Sequence, residues 1–195
     1  MPLTIYGDSI SGNCLKAKWT ADYLGLDYLW IETDVLRGET RTPAFLARNP
    51  AGQVPLAILP DGRPLAQSNA IILHLAEGSD LVPADTYERA RMMEWLFWEQ
   101  YSHEPYVAVA RFQMRYLGRA QAELDPKLVE RGEAALARLA AGVAQSPFLV
   151  GERLSLADVT LVAYTRVAHE GGFDLARHPG LAAWVGRVEA ALAIA

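Results

Sequence analysis

Two short stretches hold most of the side chains that could do chemistry. The first is Tyr6-Gly7-Asp8-Ser9-Ile10-Ser11-Gly12-Asn13-Cys14-Leu15-Lys16, which sets two hydroxyls, an amide and a thiol between a strand-like run and a helix-like one. The opening turn of a helix has backbone N–H groups without intrahelical partners and the positive end of the helix dipole. A hydroxyl placed there can donate to an anion, and a cysteine there can ionise more readily and act as a nucleophile. Two structural roles compete with these. Ser9 and Ser11 can simply cap the helix, and cysteine is among the residues most often buried as a small apolar group. The chain has one cysteine, so it can run no internal dithiol cycle.

The second stretch runs from Val54-Pro55 through Pro60-Asp61-Gly62 to Gln67-Ser68-Asn69-Ala70-Ile71. It reads as strand, turn, strand, helix: residues 56–59 are apolar, Pro-Asp-Gly is a turn tripeptide, and residues 63–66 return. Ser68 is expected as the N-cap of the following helix. A proline just before the first strand is one of the few places where a cis peptide is cheap. A cis Val54–Pro55 bond would turn the Val54 N–H and C=O outward, toward a ligand backbone. Open N–H groups at the Ser68 helix start would add an anion site. One hairpin thus offers two ways to hold a small anionic peptide.

The elements that carry these stretches follow from periodicity. Strands are expected at residues 3–6 and 28–32, helices at 13–24 and 68–77, and a short helix at 43–48. This βαβ unit followed by a ββα unit is the thioredoxin-like order. The reading of domains is 1–78 for that unit, 79–86 for a linker and 87–195 for an all-helical unit. The fold class is therefore α/β plus all-α. In the second unit, residues 87–117 carry Met92, Trp95, Leu96, Tyr106 and Val109 at helical spacing, with Gly118 as the stop and a kink near 101–105 because Pro105 lies inside. Further helices are expected at 126–144, with Leu128, Leu136 and Leu139 on the buried stripe, at 156–169 and at 179–192. Ser155-Leu156-Ala157-Asp158 has the arrangement of a capping box, with a structural job at a helix start.

With 195 residues, 51% hydrophobic and 21% charged, the chain has the composition of a soluble globular protein. A formal net charge of −5 argues against nucleic acid as partner. No apolar run is long enough to span a bilayer, and the first residues lack the pattern of a secretory signal. A single cysteine fits a reducing cytoplasm.

Val54-Pro55, the hairpin and Gln67-Ser68-Asn69-Ala70-Ile71 together resemble the glutathione-binding half of the glutathione S-transferases. The resemblance reaches back through Asn49-Pro50-Ala51-Gly52-Gln53, forward to Leu154-Ser155-Leu156-Ala157-Asp158, and covers nearly the whole chain. It implies glutathione as co-substrate, no metal, and usually a homodimer in which the Ser68 helix of one subunit faces the long helix of the other. Set on the theta- and delta-like enzymes through Tyr6 and Cys14, the catalytic serine falls at Ser11, with Gly12-Asn13 where those enzymes carry a proline turn. Enzymes resembling the nu and beta classes use Thr, Asn or Cys in this loop, which keeps Ser9, Asn13 and Cys14 as alternatives.

The resemblance further implies that the Val54 backbone, beside cis Pro55, pairs with the cysteinyl part of glutathione. Gln67 and Ser68 would hold the γ-glutamyl end, Gln53 the glycyl carboxylate, and Arg41 would add a cation. Tyr101, His103, Tyr106, Arg111 and Tyr164 are the candidate wall for the second substrate, with Trp95 and Trp98 expected to pack. The reaction implied is attack of a glutathione thiolate on an apolar electrophile, which is detoxification chemistry. Two other readings are a glutathione-dependent disulfide or peroxide reductase and a non-catalytic glutathione-binding scaffold.

Overall fold

Leu3 and Ile5 alternate with Thr4 and Tyr6, the period-two pattern of a strand with one buried face, and β1 (Leu3–Gly7) buries alternate residues in just that way. The structure, a computed structural model, describes residues 1–194. It divides into one unit of Met1–Ser79 and a second that begins at Asp80.

In the first unit, α1 (Gly12–Tyr23) returns the chain to β2 (Tyr28–Glu32), which pairs parallel with β1 from Leu3↔Tyr28 to Gly7↔Glu32. A Cβ on Gly7 would overlap the Trp30 ring, so glycine at the end of β1 is what lets that indole lie across the strand. After a short α2 (Pro43–Leu46), β3 (Leu56–Ile58) pairs antiparallel with β1 and β4 (Pro64–Ala66) antiparallel with β3. The sheet order is β2-β1-β3-β4. The Val54–Pro55 bond is cis. The first unit closes with α3 (Ser68–Leu75), which packs on α1.

Ser68 does not cap α3 as its type suggests. Gln67 takes the N-cap position at φ 70°, and Ser68 is the first helical residue, with its hydroxyl donated to Asn13 instead. A local propensity for capping has given way to a bond between two helices.

The second unit starts with Leu81 and Val82 buried and with the Leu156 amide donating to the Leu81 carbonyl, so part of the expected linker is packed structure. α4 (Thr86–Trp98) is capped by Asp85, whose carboxylate accepts from the Tyr87 and Glu88 amides. The helix then continues in wide π turns over Glu99–Ala108, passes through α5 (Val109–Arg111), and widens again over Phe112–Tyr116. Pro105, which has no amide hydrogen, is therefore accommodated by an i→i+5 register rather than by an end to the helix. The wider turns also rotate the buried face: Val107, Ala108 and Ala110 go inward, and Val109, expected on the apolar stripe, is exposed.

α6 (Pro126–Val143) buries Leu136 and Leu139 as expected, while Leu128 is half-buried. Every residue of α7 (Leu156–Thr165) is buried. It ends four residues before the expected position and tightens into a 3-10 turn, Ala168–Gly171, where Gly171 lies against the backbone of Arg111. α8 (Leu181–Leu192) completes the unit. Among the described residues, no helix is long and apolar enough to cross a membrane.

Candidate active site

The loop between β1 and α1 is built by its own polar groups. Asp8 accepts the Ile10 amide on Oδ1 and the Ser11 amide on its carbonyl, which folds residues 8–11 into a tight turn. Because β2 runs parallel to β1, Glu32 lies beside Gly7, where the loop leaves the sheet. From there its carboxylate accepts the Ser9 amide at 2.8 Å and the Trp30 indole N–H at 2.8 Å. Burial pushes the Glu32 carboxyl up, but the bonds from Trp30 and from the Ser9 amide and hydroxyl outweigh it and hold the group below its ordinary value. Ser9 is thus engaged by an anchor that nothing in its own stretch of sequence announces; the signal was a carboxylate at a strand end two residues after a tryptophan.

Glu32→Gln is expected to loosen this loop. Each bond lost is worth about 0.5–1.5 kcal/mol, so hydrogen exchange of the Ser9 amide should speed up about 5–10-fold. A folded-state value below the ordinary one means that the anchor is complete above the usual carboxylate range and is lost only as pH falls through it. Unchanged Ser9 exchange in Glu32→Gln would show that the anchor does not hold the loop.

Ser11 occupies the N-cap position of α1 in extended conformation (φ −79°, ψ 121°), and its side chain caps nothing. The capping role that competes with chemistry in the sequence is therefore not the one its hydroxyl takes. That hydroxyl bonds Cys14. Cys14 is fully buried. Burial pushes its thiol up to about 12, against hydrogen bonds from the Asp8 backbone and Ser11, while the charges of Asp8 and Glu32 push it further up. A thiol held protonated is a poor nucleophile. An alkylating reagent at about pH 8 is expected to leave Cys14 unmodified in the folded protein and to label it on denaturation; rapid labelling of the native chain would overturn this.

One turn further along α1, Asn13 Oδ1 accepts Lys16 Nζ at 2.9 Å and the Ser68 hydroxyl at 3.2 Å. Asn13 and Ser68, far apart in sequence, are thereby brought together at the facing starts of α1 and α3. Gln67 is exposed beside them, and Val54 is half-buried at the cis bond. The Gln53 side is shaped by Asn49, which donates to the Gln53 carbonyl at 2.7 Å. Arg41 is exposed, 3.4 Å from the Ala51 carbonyl, and its guanidinium lies over Gly52, where φ is +60° and a side chain would collide with it. Arg48 donates to the Tyr6 hydroxyl at 2.6 Å and lies over its ring, a pairing not foreseen from the sequence. Among the described residues no cluster of metal-ligating side chains exists.

In the helical unit the candidate wall residues separate by exposure. Tyr101 is 83% exposed. Tyr106 is half-buried, and its hydroxyl accepts from Arg131 at 2.8 Å. His103 is fully buried, with Nε2 at 3.1 Å from the Thr165 hydroxyl. Thr165 donates that hydroxyl proton to the Leu161 carbonyl, so it can only accept from the histidine, which fixes the Nε2–H tautomer. Arg111 is buried in a 2.7 Å ion pair with Glu170, which also draws Arg115 to 3.8 Å, and Tyr164 is buried in α7. Trp95 is buried and stands edge-on to Trp98, with Arg138 over its ring.

Comparison with known proteins covers the same ground. The family model described as the glutathione S-transferase N-terminal domain matches residues 10–77, and that of the glutathione S-transferase C-terminal domain matches residues 87–187. A glutathione S-transferase structure from Pseudomonas fluorescens superposes with a TM-score of 0.93 at 48% identity, covering 97% of this chain and 95% of that one. Glutathione S-transferase 3 of maize is 30% identical over 94% of this chain and 87% of its own length. A disulfide-bond oxidoreductase of Escherichia coli is also 30% identical, over 84% and 79%. Two matched domains, a four-stranded mixed sheet carrying the Ser11 loop, and an all-helical second unit lead to one conclusion: the chain belongs to the glutathione S-transferase family.

Proposed function

We propose that this protein binds glutathione in its first unit and activates the thiol as a thiolate for attack on an apolar electrophile, with residues 1–78 as the glutathione domain and 87–195 supplying the electrophile site. The observation that carries this reading is the Ser11 hydroxyl, set at the start of α1 and spent on no cap. A free thiol has a pKa near 8.5, and lowering it by about two units takes roughly 2.7 kcal/mol of preferential thiolate binding. One hydroxyl donor to a charged sulfur supplies about 1.5–3 kcal/mol, and a helix N-terminus about 0.3–1 more. The two together suffice.

In this reading Ser11 donates to the sulfur and Ser9, held by Glu32, shapes the loop. Val54 pairs with the cysteinyl backbone, Gln67 and Ser68 hold the γ-glutamyl end with Asn13 beside them, and Gln53 and Arg41 face the glycyl carboxylate. Tyr101 and Tyr106 are the wall residues with exposed surface, and His103, Arg111 and Tyr164 support that wall from inside the helical unit. The exposed rings of Tyr87 and Phe97 suit a homodimer, and a single buried cysteine suits a cytoplasmic protein. The test is calorimetric titration with glutathione followed by turnover on a chloronitrobenzene. Micromolar to millimolar binding with conjugate formation supports the reading, and absence of binding ends it.

The Escherichia coli relative's name favours a second reading, disulfide reduction driven by glutathione. With Cys14 buried and protonated, the exchanging thiols would be those of glutathione itself. Turnover on a small mixed disulfide exceeding that on the chloronitrobenzene would move this reading ahead.

A further inference from the structure

Glu32 holds two N–H groups at once, one from each side of the point where the chain leaves the sheet. One carboxylate oxygen accepts the Ser9 amide and the other the Trp30 indole N–H, each at 2.8 Å. Neither an amide N–H nor an indole N–H can accept a hydrogen bond. Both oxygens of Glu32 must therefore be acceptors. An ionised carboxylate meets that demand, and a glutamine amide, with one oxygen and one NH2, does not. The indole is itself fixed, because its ring lies over Gly7 in the space a Cβ would occupy. The Thr33 amide donates to the Gly7 carbonyl at 2.8 Å, which keeps β1 and β2 together up to that same point. The carboxylate is thus braced on the sheet by a ring laid across β1, and it grips the loop by its backbone. Ser9 is the second residue of the turn closed by the Ser11 amide on the Asp8 carbonyl at 3.0 Å, and the Ser11 carbonyl then accepts the Leu15 amide at 2.9 Å to start α1. With no cap bond from its side chain, Ser11 takes its place at the helix start from these backbone bonds.

We propose that Trp30 and Glu32 are positioning residues for the Ser11 hydroxyl: their clamp on the Ser9 amide fixes the turn over residues 8–11 and so sets where that hydroxyl meets the glutathione sulfur. The inference rests on the glutathione reading above, and it gives the end of β2 a part in activating the thiol. The charge of Glu32, taken by itself, works the other way. A carboxylate disfavours a neighbouring thiolate, as it does at Cys14. Neutralising Glu32 would therefore lower the pKa of the bound thiol if charge were all that mattered, whereas loss of positioning raises it. The two effects have opposite signs, so one measurement separates them.

The test places Glu32→Gln in wild type and in a Ser11→Ala background. In wild type it is expected to raise the pKa of the bound glutathione thiol by about 0.5–1 unit. It should also lower kcat/KM on a chloronitrobenzene about 10-fold, less than a misplacement of about 1 Å can cost. In Ser11→Ala no hydroxyl is left to place, so the same substitution should change kcat/KM less than about 2-fold and should not raise the thiol pKa. Trp30→Phe, which keeps a ring over Gly7 but removes the N–H, should act in the same direction by about 3-fold, and it decides the matter if Glu32→Gln does not fold. A similar fall in kcat/KM in both backgrounds would show that Glu32 only stabilises the fold, and overturns the proposal. A bound thiol pKa that falls or stays unchanged in Glu32→Gln overturns it as well. If Ser11→Ala itself leaves the thiol pKa at its wild-type value, the clamp has no donor to serve and the proposal fails while glutathione binding stands. A wild type that binds no glutathione removes the proposed function and this inference with it.

Discussion

Replacing Ser11 by alanine is expected to raise the pKa of the bound glutathione thiol by about 1–2 units and to lower kcat/KM at neutral pH by about 10–100-fold. The size follows from the bond removed. A hydroxyl donating to a charged acceptor is worth about 1.5–3 kcal/mol, and each pKa unit is about 1.4 kcal/mol of preference between thiolate and thiol. The helix start remains in the variant, so some depression of the thiol should persist. The affinity for S-methyl glutathione, which has no proton to lose, should change less than about 2-fold because the peptide anchors proposed at Val54, Gln67 and Ser68 are untouched. Ser9→Ala is the control: its amide and hydroxyl are engaged by Glu32, and its effect on the thiol pKa should stay within about 0.3 units. Ultraviolet thiolate absorbance of the bound peptide against pH reads all three. If Ser11→Ala leaves the bound pKa where wild type has it, the donor lies elsewhere, and Asn13 is next in line.

The fold was legible where a residue's local preference and its packing agree. The strand expected at residues 3–6 is β1, Pro60-Asp61-Gly62 turns the hairpin, and the helix expected from residue 126 is α6, since each pattern is settled by its immediate neighbours. Legibility failed where a distant group competes. Ser68 has the type of an N-cap, yet it spends its hydroxyl on Asn13 on another helix. At Pro105 the helix continues as expected, and the irregularity expected near 101–105 takes the form of wide π turns, a register that the residue types alone do not specify. In the site, the loop could be found because serine, asparagine and cysteine cluster between a strand and a helix. Which serine is held by the sheet could not be read there, because it is Glu32 on β2 that claims Ser9. Lys16 was invisible for the same reason: a lysine on a helix is ordinarily exposed, and only the packing of α1 makes it a buried donor.

Asp158→Ala is expected to cost about 4–5 kcal/mol of stability, near the top of what single substitutions do, without touching glutathione chemistry. The Asp158 carboxylate is fully buried and gathers three segments of the helical unit: the Leu149 amide at 2.9 Å and the Trp184 indole N–H at 3.0 Å on Oδ1, and the Ser155 amide at 3.1 Å and hydroxyl at 3.0 Å on Oδ2. Alanine leaves those donors buried with no acceptor, at about 1–3 kcal/mol each, partly offset by ending the desolvation that pushes this carboxyl above its ordinary value. Ser155→Ala removes one donor and leaves the carboxylate three, so about 1 kcal/mol is expected there. Asp158→Asn should fall between, since it keeps one oxygen but turns an NH2 toward two of the donors. Urea unfolding followed by tryptophan fluorescence measures the series, with Trp184 as a direct reporter of the α8 end. A drop in Tm of about 10 °C should accompany the alanine variant. Glutathione affinity of the folded fraction should stay within about 2-fold of wild type, because every group Asp158 holds lies in the second unit and the proposed peptide anchors lie in the first. A loss below about 1.5 kcal/mol would mean that water replaces the carboxylate and that the start of α7 is less dry than its ten buried residues indicate.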